Sequence, residues 1–202
     1  MPKRKSKDYV EVAKMCRAEG FSEGKVFELC KPLCEDFGDK NYEATKDAQV
    51  PQTEEEITQD KHNDRDIFFE VLTKPIDQTE KERDMLIDNI IKKPWFRGKV
   101  EMILDEVGNF RVLGPNYKEI LSRCYFYFDG KKEKQIDIYT DMGISSSTFY
   151  DRLEIAIILL GVLMWKYVKR RQYEDMAKGI IPYKEIPKNE EDLNDLTPLD
   201  EL

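Results

Sequence analysis

The sequence predicts an all-α fold, and three observations carry that reading. Apolar residues recur at intervals of three and four in one segment after another. Turn formers are scarce, with 10 Gly and 9 Pro in 202 residues, too few for a turn-rich β fold. Charged residues make up 37% of the chain, against the usual figure of about a quarter, as suits long solvated helices or unfolded stretches.

Residues 1–38 read as a small helical segment. Tyr9, Val12, Ala13 and Cys16 share one face of a helix over 8–19, which Gly20 closes. Val26, Phe27, Cys30 and Cys34 repeat the pattern over 22–37, where Pro32 is expected to kink or divide the helix. Residues 39–66 are rich in Asp, Glu, Gln, Asn, Lys and Thr and predict a polar linker. Helical character returns over 67–110, in three apolar groups. These are Phe68, Phe69 and Leu72; then Met85, Ile87, Ile90 and Ile91; then Val100, Ile103, Leu104 and Val107. Residues 173–202 predict an acidic tail, mostly extended or disordered, with prolines at 182, 187 and 198.

The segment from 111 to 172 is the most informative. The chain carries −8 overall, yet residues 111–171 hold eleven Lys/Arg against seven Asp/Glu. One basic segment thus lies between acidic ones, an asymmetry more telling than the total. Tyr117, Ile120, Leu121, Cys124 and Phe128 define a first helix, with Pro115 near its start. A basic connection with Lys131, Lys132 and Lys134 leads to a short helix over 135–142, whose Ile138 and Met142 point inward. Gly143 suits the left-handed turn that ends it, Ile144 plugs the core, and Ser145 caps the next helix. That helix turns Phe149, Leu153, Ala156, Ile157 and Leu160 inward and Ser146, Ser147, Thr148, Tyr150 and Arg152 outward. Hydroxyls, a phenol and a guanidinium at a helix start are groups that reach base edges and phosphates in a major groove. The order of helix, short helix, glycine turn and capped helix predicts a helix-turn-helix domain at the C-terminal end of the all-α fold.

Residues 135–157 (QIDIYTDMGISSSTFYDRLEIAI) resemble the DNA-binding part of sigma factor region four. Over about 113–168 the chain resembles more closely the ArpU-like family of phage-encoded transcriptional regulators. Cys124-Tyr125-Phe126, Ile138, Met142-Gly143-Ile144-Ser145, Thr148-Phe149-Tyr150, Arg152 and Ala156 carry that resemblance. It implies a sequence-specific regulator of transcription, encoded by a phage or prophage, that binds double-stranded DNA in the cytoplasm of a bacterial host, with RNA polymerase as a candidate further partner. One position departs from the pattern. Such units usually hold alanine or glycine where this chain has Tyr139, which is expected to tilt outward or to loosen the helix crossing.

From Leu153 to Trp165 the last helix is apolar on nearly every side and needs cover on every side. Residues 67–107 are one expected source, a second copy of the chain the other. The apolar stretch is shorter than the ~20 residues that span a bilayer, so no membrane is expected. Cys16, Cys30, Cys34 and Cys124 read as buried thiols, and the lone His62, in a polar stretch, completes no metal set. With no phosphate-cradling glycine loop and no paired nucleophile and base, neither an enzyme nor a cofactor is expected. The competing function is a helical interaction or packaging protein that keeps the same shape without reading DNA.

Overall fold

The computed structural model describes residues 6–44, 53–73, 94–127 and 132–183. The protein is all-helical, with seven helices and no strand among the described residues. They are α1 (Lys7–Ala18), α2 (Glu23–Ala44), α3 (Glu54–Thr73), α4 (Pro94–Gly108), α5 (Gly114–Cys124), α6 (Gln135–Asp141) and α7 (Ser146–Ala177).

The N-terminal pair forms as its pattern predicts. Ser6 caps α1 by accepting from the Tyr9 N–H, and Val12, Ala13 and Cys16 are buried. α2 runs through Pro32 without dividing. Its apolar face is buried from Val26 through Cys30, Leu33 and Cys34 to Phe37.

The linker expected over 39–66 is instead largely helical. Residues 39–44 continue α2, and α3 begins at Glu54. Its start is a capping box: the Thr53 N–H donates to Glu56 Oε2 (2.8 Å) and the Glu56 N–H to Thr53 Oγ1 (3.2 Å). Three glutamates in the first turn favour the positive end of the helix. The described side chains of α3 meet α7 through charge. Arg65 Nη2 donates to Asp175 Oδ2 (2.8 Å), and His62 Nδ1 lies against the same guanidinium. His62, Asp64, Arg65 and Asp175 are all buried, so His62 belongs to the interior.

α7 is the axis of the fold. It is a single helix of 32 residues, and Ile155–Val162, Met164 and Trp165 are buried. The cover comes from this same chain: α1, α2, α4 and α5 all pack on it. The expected source at 67–107 supplies part of it through Val100, Ile103, Leu104 and Val107 of α4. The N-terminal pair, assigned no role by the sequence, supplies another part, and α5 a third. The Trp165 ring meets Phe21 edge-on at 4.7 Å, and its indole N–H donates to Glu19 Oε2 (3.0 Å). At Gly161 the closeness of α2 is plain: a Cβ there would come within 2.4 Å of Cys30 Sγ and 2.5 Å of Val26 Cγ1. The expected apolar groups at 68–72 and 85–91 lie outside the residues whose side chains are described.

All four cysteines are buried free thiols. Burial pushes Cys16, Cys30 and Cys124 up to about 12 and raises Cys34 well above the ordinary thiol value, which leaves them protonated and unreactive at neutral pH. No described helix is long and apolar enough to cross a membrane.

Candidate functional site

The predicted core residues of the 111–172 segment set the positions of three helices. Tyr117, Ile120, Leu121 and Cys124 of α5, Ile138 of α6, and Phe149, Leu153 and Ala156 of α7 are buried together. Pro115 lies in the first turn of α5. α6 closes through the Met142 cap, and Gly143 follows at φ +62°, where a side chain would be strained. The Ile144 N–H returns to the Tyr139 carbonyl (3.1 Å). Ser145 then caps α7, its Oγ accepting from the Thr148 N–H at 3.2 Å. Tyr139 is half-buried, not swung out: its ring rests on Phe149 with centroids 5.7 Å apart.

Arg123 ties this arrangement together. From α5 it bonds Glu133 at 2.6 Å and Asp141 at 3.1 Å, and it reaches Glu119 at 3.4 Å. The connection before α6 and the end of α6 are thus both fastened to α5. Glu133 is held below the usual carboxylate range by its bonds to Arg123. Arg123 is a residue that sequence reasoning missed; three acidic residues spaced to surround it were the only available signal.

The predicted site residues do not all share one face. Ser146, Ser147 and Tyr150 are exposed at the first turn of α7, and the Tyr150 hydroxyl donates to Gln135 Oε1 (3.1 Å) on α6. Thr148 is half-buried, with its hydroxyl within 2.9 Å of Ser145 Oγ, so it joins the cap. Lys132 and Lys134 are exposed just before α6, while Lys131 lies outside the described residues. Arg152 faces elsewhere. It is half-buried, and its Nη1 donates to Asn116 Oδ1 (2.7 Å) at the start of α5. Beside it the Tyr117 hydroxyl donates to Asp8 Oδ2 (2.7 Å) of α1, and burial together with Asp8 raises the phenol above its ordinary range. The exposed positions one turn into α7 are Asp151 and Glu154, and α6 exposes Ile136, Asp137, Thr140 and Asp141.

Arg152 therefore fastens the unit internally, and its removal tests that role. Arg152→Ala is expected to lower stability by about 1–3 kcal/mol, the scale for a charge-assisted bond whose partner is left half-buried. Chemical denaturation measures this. An unchanged midpoint would return Arg152 to the pool of surface residues free to bind a partner.

No protein-family model, no curated protein and no solved structure matches this chain.

Proposed function

We propose that this protein is a helix-turn-helix transcriptional regulator, of the kind the ArpU-like resemblance implies, which binds double-stranded DNA through the first turn of α7. One observation carries the reading. A serine-capped helix start stands exposed with Ser146, Ser147 and Tyr150, held rigidly by Phe149 beneath it and by α6 across it. Such a start presents hydroxyls together with backbone N–H groups that have no partner inside the helix, and both suit phosphate oxygens and base edges. Lys132 and Lys134 stand before α6 as phosphate contacts. Thr148 and Arg152 are half-buried on their partners and leave the base-reading set, whereas Ser147 and Tyr150 keep exposed side chains although each also has a bond within the unit. The Asp151 and Glu154 carboxylates confine close approach to the helix tip.

A second reading has an observation of its own. The carboxylates of Asp137, Asp141, Asp151 and Glu154 on the exposed sides of α6 and α7 favour a protein partner with a basic surface, hence an interaction module. Retention on duplex DNA separates the two. For the full chain, log affinity is expected to fall linearly with log salt, and Lys132→Ala and Lys134→Ala should each reduce the slope by about one. Folded protein with no salt-dependent retention on any duplex in a random pool would refute the DNA reading.

A further inference from the structure

A cleft of about 550 Å³ opens at the other end of α7, between α3, α4 and the turn at Ile180. Its apolar wall includes Met102, Ile103, Met164 and Val168. Five permanent cations line it against three carboxylates. The pairing inside is uneven. Arg65 is engaged by Asp175, and Arg170 and Arg171 share Glu174. Lys61 on α3 and Lys99 on α4 have no carboxylate partner among the described residues, though both are half-buried. Lys99 rests instead over the Tyr167 ring, 5.7 Å from its centroid. A half-enclosed surface with surplus positive charge and an apolar wall fits an acidic segment that also carries aliphatic side chains.

The chain supplies such a segment within reach. Ile180 lines the cleft, and the described residues end at Tyr183. Residues 184–202 hold seven carboxylates against two lysines, with leucines at 193, 196, 199 and 202. An extended chain covers roughly 3.3–3.6 Å per residue, so Glu190, Glu191 and Asp192 need only the short stretch after Tyr183 to return to the cleft. We propose that the acidic C-terminal segment of the same chain seats in this cleft, its carboxylates on Lys61 and Lys99 and its leucines on the apolar wall. Intrachain docking raises the local concentration of the segment, so modest contacts suffice.

Limited tryptic cleavage at Lys188 in the full chain tests this, read by mass spectrometry as release of the 189–202 peptide. Rates are normalised to a free synthetic peptide of residues 184–202 at each salt concentration. At low salt, release from the native chain is expected to be slow and to accelerate with added sodium chloride. A Lys61→Glu/Lys99→Glu variant should release the peptide about tenfold faster at low salt and lose the salt response. Neutralising the segment itself, with Glu190→Gln, Glu191→Gln and Asp192→Asn, should do the same without touching the folded body, which decides the matter if the charge-reversed variant fails to fold. Equal rates in all three proteins would overturn the proposal. So would a salt response that survives charge reversal in the folded cleft, which places the segment elsewhere, or protection that grows with protein concentration, which places it on a second copy.

Discussion

Trp165→Ala is expected to be among the most damaging single substitutions, costing about 3–5 kcal/mol. The side chain is 2% exposed and lies where α7 meets the N-terminal pair. Truncation removes the edge-on contact with Phe21 and leaves a cavity that the two surrounding helices can only partly close. It also takes the indole N–H from Glu19, which keeps Lys169 (2.5 Å) as its other partner. Denaturant unfolding followed by circular dichroism measures the loss. A cost below about 1 kcal/mol would mean that α1 and α2 contribute little to the core. The large value predicts in addition that residues 111–172, expected from the sequence as a domain, do not fold alone, since their central helix is buried against residues 12–37.

The second large effect belongs to the charged cluster that holds α3. Arg65→Ala leaves Asp175 buried without its closest cation and is expected to cost about 3 kcal/mol, the lower end of the range for breaking a buried pair, because the adjoining cleft admits water. The same pair gives a pH dependence of known sign. Burial pushes the Asp175 carboxyl up, but the bond and charge of Arg65, with Arg171 and His62 behind them, outweigh burial and hold it below the ordinary carboxylate value. A group depressed in the folded state contributes stability that is fully present above its unfolded value, near pH 4. That contribution is lost as pH falls through the folded value. Melting temperatures of the native chain should therefore drop more steeply below about pH 4 than those of Arg65→Ala. Parallel acid profiles would show that the pair contributes nothing to folding.

The fold class and the local path of the chain from Gln135 to Leu160 were legible because the positions that shape it obey local rules. Gly143 takes a positive φ, Ser145 bonds the Thr148 N–H, and Ile138 and Phe149 are buried at helical spacing. α3 was illegible for the opposite reason. Its apolar content is low over 54–66, and the contact that its described side chains make with α7 is an exchange of charges with Asp175, 110 positions distant in sequence. The partner of Arg152 was illegible because helical spacing names a face but not its neighbour. Asn116 lies 36 positions earlier, and only the crossing of α5 and α7 brings it within 2.7 Å. The cover of α7 was half legible: α4 carries a plain apolar stripe, whereas the fit of α2 depends on a missing side chain at Gly161.

α7 also imposes a phase relation on the whole chain. At 1.5 Å per residue its 32 residues make a rod of about 48 Å, with Ser146 at one end and the cleft beside Arg170 and Asp175 toward the other. Between them Gly161 is fitted against Cys30 and cannot slip. Adding or deleting one residue between Tyr150 and Gly161 would turn the exposed tip by about 100° relative to the clamped middle, so Ser147 and Tyr150 would face the positions now held by their neighbours. The spacing from tip to clamp is therefore as much a part of this protein's specification as the side chains at either end. Over that stretch a substitution keeps the two ends in phase, and a one-residue insertion or deletion does not.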